Sequence, residues 1–228
     1  MNTEKKLDRV RESLREGKPV LLYDFDEREG ETDIVYPAET VTYEDIVRLR
    51  RDAGGLICTA IHPDAADELG LPYMHDVLDD HPAVEHASDL GYDNRSSFSL
   101  WVNHKSTYTG ITDKDRAKTS RRLANAVLEA GNEGFEFSDE FRTPGHMAVL
   151  RAADGLLDDR QGQTEMSVKL MEMAGLVPAA VICEMMDAKT GEALDKQEAR
   201  RYSMDNDLVF IEGDELAASE KTVYQPAD

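Results

Sequence analysis

The apolar run Val20-Leu21-Leu22-Tyr23 stops abruptly at Asp24, and six acids then fall within the ten residues from Asp24 to Asp33, around a single Arg28. An apolar run feeding a polar stretch that contains Gly30 reads as a buried strand leading into a loop. Carboxylates at that density repel one another unless a cation sits among them or water screens them. Arg28 offsets one charge. A divalent ion would offset two, and oxygen donors suit a hard ion such as Mg²⁺. Taken alone, the segment supports two readings: a metal-binding loop, and a solvated turn in an acidic protein.

Around this segment, strand and helix patterns alternate. Leu7, Val10 and Leu14 recur at helical spacing, with Gly17 as a stop. Thr42-x-x-Asp45 has the form of a capping box before a helix carrying Ile46 and Leu49. Gly54-Gly55 precedes an apolar strand, Leu56 to Ile61, and His62-Pro63 opens a short helix ending at Gly70. Residues 72–96 show no clear period and read as an irregular excursion. Phe98 to Val102 reads as a strand, and Thr112-x-x-Asp115 caps a long helix through Leu123, Val127 and Ala130, stopped by Gly131. Further strands are expected at Met147–Arg151, Ala179–Met185 and Leu208–Ile211, with a helix from Thr164 to Ala174. Such alternation predicts a layered α/β domain occupying the whole of residues 1–228.

Composition narrows the partners. The net charge of −21 and pI of about 4.6 disfavour nucleic acid and anionic membrane surfaces. No run reaches the length of a membrane span, and Met1 to Arg15 lacks the apolar core of a signal peptide, so the sequence predicts a cytoplasmic protein. Lysine is scarcer than arginine and the acids are dispersed, a pattern that suits a halophilic cytoplasm, where salt screens self-repulsion; an acidic face for a cationic partner is the alternative. Cys58 and Cys183 lie in apolar runs, which predicts buried free thiols, and no Cys/His spacing suggests zinc.

Four more patches could carry chemistry. Tyr108-Thr109-Gly110-Ile111-Thr112-x-x-Asp115-Arg116 joins hydroxyls to a helix N-terminus, which suits an anionic ligand and equally suits ordinary capping. Arg142-Thr143-Pro144-Gly145-His146 reads as a Pro-Gly turn presenting one histidine, a residue more often structural than catalytic. Asp159-Arg160-Gln161-Gly162-Gln163-Thr164-Glu165 opens a helix as a phosphate clamp or a cap would. Val181-Ile182-Cys183-Glu184 puts a carboxylate at the end of a buried strand, where α/β sheets face their ligands, or simply just past the strand.

Together and in this order, the patches resemble 3,4-dihydroxy-2-butanone 4-phosphate synthase of the archaeal single-domain kind. The resemblance runs from Leu7 to about Glu215 and rests on Asp24-x-Asp26-Glu27-Arg28-Glu29-Gly30-Glu31-Thr32-Asp33, Thr109-Gly110-Ile111-Thr112-x-x-Asp115-Arg116, Arg142-x-Pro144-Gly145-His146, Arg160-x-Gly162-x-Thr164-Glu165 and Cys183-Glu184. It implies a three-layer α/β domain with a mixed sheet, a homodimer with active sites at the subunit interface, and a need for Mg²⁺ (or Mn²⁺). The implied reaction converts ribulose 5-phosphate, a sugar phosphate, to 3,4-dihydroxy-2-butanone 4-phosphate and formate for riboflavin biosynthesis. By the same resemblance Glu29 is the loop's metal ligand and Asp33 and Glu184 transfer protons. Glu31 and Cys58 join the catalytic group, while Asp24 and Arg28 shape the loop and bind substrate. Arg160 and Thr164 clamp the phosphate, His146 reaches the phosphate region of the neighbouring subunit's site, and Thr112 contacts substrate; Tyr92 is a further substrate contact expected from residues 72–96, the segment least matched to the family.

One position departs from the family pattern, which reads Gly-His-Thr-Glu where this chain has Gly162-Gln163-Thr164-Glu165. The replaced histidine is the second protein ligand to the metal. Glutamine offers a carbonyl oxygen, which Mg²⁺ accepts, but no imidazole nitrogen, which softer ions prefer. The expectation is that Gln163 still ligates, with a bias toward Mg²⁺. Two rivals stand beside the synthase: a non-catalytic metal- and sugar-phosphate-binding homologue, motivated by Gln163, and a haloacid-dehalogenase-like phosphatase, motivated by a strand ending in Asp24-x-Asp26.

Overall fold

The computed structural model describes residues 3–82 and 96–223. Its strands are β1 (Val20–Tyr23), β2 (Thr32–Pro37), β3 (Cys58–Ile61), β4 (Phe98–His104), β5 (Phe141–Arg151), β6 (Ala179–Glu184) and β7 (Val209–Glu212). They form one mixed sheet in the order β4-β5-β3-β6-β2-β1-β7. β1 and β2 are an antiparallel hairpin with Tyr23 opposite Thr32, β2 runs antiparallel to β6 with Asp33 opposite Glu184, and β1–β7 and β3–β5 are the parallel pairs.

The inner strands have no polar face because both faces are covered. Side chains alternate between two cores. Leu21, Tyr23, Ile34, Tyr36 and Cys183 pack on one side against α2 (Tyr43–Arg48), α3 (Pro63–Glu68), α5 (Asp113–Glu129) and α8 (Lys196–Asp205). Val20, Leu22, Val35, Cys58 and Ile182 pack on the other against α1 (Thr3–Arg15), α7 (Gln163–Ala174) and α9 (Gly213–Val223). The result is three layers, α–β–α, as expected. Short helices α4 (Met74–Val77) and α6 (Phe137–Glu140) lie beside the β4–β5 edge. Cys58 and Cys183 are free, buried and on opposite faces of the sheet.

Local signals act where the sequence places them. Thr42 and Asp45 close a reciprocal capping box on α2, which runs on through a π turn, Leu49–Ala53, to Gly54 at φ +94°. Thr112 caps α5 by accepting from the Asp115 N–H at 3.1 Å. Three expectations are corrected. The acidic segment does not end in a loop, since Thr32 and Asp33 are already in β2. The strand after Gly55 begins at Cys58, not Leu56. Arg142–His146 is not a turn between segments: it belongs to β5, where the register against β4 jumps from Val102↔Met147 to Asn103↔Arg142. Tyr92 lies outside the described residues.

Candidate active site

The acids of this segment face different ways, and those near the sheet end still oppose one another's charge. Asp24 is buried and turns inward, accepting from the Glu29 N–H at 3.1 Å and the Glu31 N–H at 2.9 Å, with Arg28 at 3.3 Å. It therefore shapes the loop as a cap shapes a helix end. Asp26 points out to Lys196 at 2.9 Å and accepts from the Tyr23 hydroxyl at 2.7 Å. Asp24 and Asp26 thus diverge, and the paired-aspartate geometry of the phosphatase reading does not form. Glu29 stays beside Arg28, 2.9 Å away, on the side that faces the sheet end.

There, a cleft of about 170 Å³ brings together Arg28, Glu29, Asp33, Cys58, Arg160, Gln163, Thr164 and Glu184, with Ser97, Phe98, Leu150 and Ile182 completing the wall. Asp33 is the second residue of β2, Glu184 ends β6 and Cys58 opens β3, so the antiparallel arrangement of these neighbours delivers all three to one end of the sheet. Glu184 is fixed by the Leu56 N–H, which donates to its Oε2 at 2.8 Å. A Cβ on Gly55 would lie 2.8 Å from the Glu184 Cβ, closer than real contacts allow. Gly55→Ala is therefore expected to displace Glu184, costing about 1–3 kcal/mol in stability and about 10²-fold in kcat/KM. Denaturant melts and steady-state kinetics on one preparation would check this; full activity would show that Glu184 tolerates movement.

The carboxylates are crowded and poorly solvated. Burial, then the charges of Glu184, Glu29, Glu31 and Asp24, pushes Asp33 well above the usual carboxylate range. Its Oδ1 is buried without a hydrogen-bond partner. Burial and the charges of Glu29 and Glu184 push Glu31 up to about 7. Burial likewise raises Glu184, and it raises the Cys58 thiol well above its usual range, which keeps that sulfur protonated. Carboxylates raised in this way can hold a proton and pass it on.

The opposite wall is basic and carries a helix N-terminus. Gly162 is the N-cap of α7, and Gln163 and Thr164 form its first turn, aimed at the cleft. Arg160 Nη1 donates to Glu165 Oε2 at 2.8 Å and to Ser97 Oγ at 2.7 Å. Glu165 is wholly buried and also accepts from the Ala153 N–H at 3.0 Å, which fixes the guanidinium. Gln163 is anchored by its Nε2, which donates to the carbonyls of Leu22 at 3.2 Å and Glu31 at 3.1 Å. Its Oε1 is buried with no partner. A buried carbonyl oxygen left bare costs about 1–3 kcal/mol.

Thr112 and His146 do not reach this cleft. Thr112 is engaged in capping α5, and His146 is exposed on β5, outside the lining of the cleft. The sequence marks Glu165 only as part of the Arg160 motif and does not mark Gly55 or Ser97 as supporting residues. The adjacent Gly54-Gly55 before a strand was a usable cue for Gly55; Ser97 carried none.

Comparison with known proteins places the chain in a family. A family model described as 3,4-dihydroxy-2-butanone 4-phosphate synthase matches residues 8–219. The synthase of Archaeoglobus fulgidus is 54% identical over 209 residues, covering 88% of each chain. That of Methanosarcina acetivorans is 50% identical over 219 residues, covering 92% of this chain and 89% of the relative. A crystal structure of a 3,4-dihydroxy-2-butanone 4-phosphate synthase in complex with two magnesium ions superposes with a TM-score of 0.78 at 30% identity, covering 95% of this chain and 97% of the other.

Proposed function

The chain belongs to the 3,4-dihydroxy-2-butanone 4-phosphate synthase family, and from that premise we propose how its residues carry out the lyase reaction of riboflavin biosynthesis, ribulose 5-phosphate to 3,4-dihydroxy-2-butanone 4-phosphate and formate. The observation that carries the assignment is the cleft itself: raised carboxylates on one wall, Arg160 and the α7 N-terminus on the other, and the bare Gln163 oxygen between.

Arg160, Thr164 and the free N–H groups of α7 hold the phosphate. The sugar end then lies toward Asp33 and Glu184, with Glu31 outside the lining and coupled to Glu184 and Glu29 through its charge. Glu184 takes the proton whose removal begins enolisation. Asp33, whose burial and carboxylate neighbours favour the protonated form, gives a proton to the departing oxygen, and Glu31 exchanges protons with both. Arg28 and Asp24 hold the loop that brings Glu29 up, and protonated Cys58 packs the floor.

The donor set fits a divalent ion. Glu29 and Gln163 offer hard oxygens, and an ion would satisfy the orphaned Oε1. When bound, Mg²⁺ supplies a Lewis acid that polarises the substrate carbonyl. Among the described residues no three His, Cys, Asp or Glu side chains form a metal cage; Glu29 and Gln163 would hold the ion and would leave positions open for substrate. Gln163→His is expected to tighten Mn²⁺ binding about tenfold or more and to change Mg²⁺ binding less. Electron paramagnetic resonance titration with Mn²⁺, followed by Mg²⁺ competition, reads both; equal Mn²⁺ affinity in the two proteins would remove Gln163 from the ligand set.

We also propose a homodimer in which Thr112 and His146 serve the partner's cleft. Their exposure supports it, as does that of the neighbouring Tyr108, 95% exposed, and Ile111, 52% exposed. No helix among the described residues is long and apolar enough to cross a membrane; a cytoplasmic location suits a reaction on a phosphorylated sugar.

A further inference from the structure

Two sequence motifs, Thr109-Gly110 and Pro144-Gly145-His146, meet at a residue that neither contains. Asn103 is buried near the end of β4, 6% exposed. Its Oδ1 accepts from the His146 backbone N–H at 2.8 Å. Its Nδ2 lies 3.0 Å from His146 Nδ1 and donates to the Thr109 carbonyl at 3.4 Å. The glycines make this approach possible. A Cβ on Gly110, which has φ +89°, would overlap the Asn103 amide, and one on Gly145 would overlap the backbone at Val102 and Asn103.

The hydrogen-bond polarity then has one solution. A backbone N–H can only donate, so the atom facing it is the Asn103 oxygen. The amide nitrogen therefore faces His146 Nδ1, and an amide nitrogen only donates. His146 Nδ1 must accept, so the neutral imidazole carries its proton on Nε2. We propose that Asn103 is a positioning residue that holds the exposed His146 ring as an Nε2–H donor for the anionic end of the substrate. The role at substrate rests on the synthase reading above; the tautomer does not.

The two parts separate experimentally. In ¹⁵N-histidine spectra of the full chain, His146 (identified by its loss in His146→Gln) is expected to show an unprotonated Nδ1 and a protonated Nε2. Asn103→Ala should give averaged nitrogens and raise KM for ribulose 5-phosphate about tenfold, with kcat changed far less. Asn103→Asp, which keeps the acceptor for the His146 N–H but replaces the donor by a carboxylate, should protonate both nitrogens and, because Nε2 still donates, recover most of the lost KM. A protonated, neutral-ring Nδ1 in the wild type overturns the positioning role whatever the activity. Expected spectra with an unchanged KM in Asn103→Ala overturn the contribution to substrate binding. A wild type that forms no formate defeats the synthase reading, and the spectra alone then decide the tautomer.

Discussion

Asp33→Asn is expected to reduce formate release by about 10²–10⁴-fold without destabilising the protein. Asp33 is fully buried, its Oδ1 has no partner, and four neighbouring carboxylates oppose its ionisation. Asparagine has the shape of the protonated acid and cannot transfer its proton. The stability difference has a definite sign with pH. The folded value lies above the ordinary 3.8, so the wild type's contribution is complete below that pH and is lost as pH rises through the folded value. The variant has no such loss. In EDTA-treated protein its advantage over wild type should therefore widen from pH 5 to pH 8, which urea melts at the two pH values measure. A variant less stable at both would mean that the carboxyl makes a favourable contact in the fold. The same variant tests the shared site. Mixed and re-associated with His146→Ala, it should give more activity than the His146→Ala chains supply alone if two chains build each cleft, and no more than they supply alone if one chain suffices.

Arg160→Ala is expected to act twice. The phosphate loses its fork, which raises KM and lowers kcat/KM about 10²-fold or more. Glu165, wholly buried and paired to Arg160 at 2.8 Å, loses its cation and keeps only the backbone N–H groups of Ala153 and of Glu165 itself. Breaking such a pair costs about 3 kcal/mol. Adding Glu165→Gln should return part of the stability and none of the KM, separating the structural from the binding role. If the single variant melts like wild type, Glu165 takes up a proton at little cost; if KM is unchanged, the phosphate binds elsewhere.

The parts of this fold that were legible in the sequence are those with one apolar face and clear punctuation. α1 shows Leu7, Val10 and Leu14 and stops at Gly17; α5 has its Thr112 cap. β2 was hidden because its first residues, Thr32 and Asp33, continue the acidic run, and because both faces are buried and give no alternation. α8 was hidden because only Ala199 and Ser203 are buried along ten largely charged residues. Pro144-Gly145 reads as a turn locally, yet the β4 partner holds it inside a strand. The site shows the same division. The acidic segment, Arg160, Thr164 and Glu184 were visible as motifs, since each carries its chemistry in its own residue type. The bare Gln163 oxygen and the Asn103 amide were not, because their meaning depends on which atom faces which neighbour across 141 and 43 residues of chain.

With Gln163 where the family pattern has histidine, this cleft is expected to perform the synthase reaction. ¹³C and ³¹P spectra of ribulose 5-phosphate incubated with the protein and Mg²⁺ test it most directly. Formate rising together with a four-carbon phosphate ester, with no inorganic phosphate and with both signals lost in EDTA, is the expected result. Unchanged substrate in protein shown to be folded and to bind Mg²⁺ would contradict it, and would leave a chain that keeps the site and has lost the chemistry.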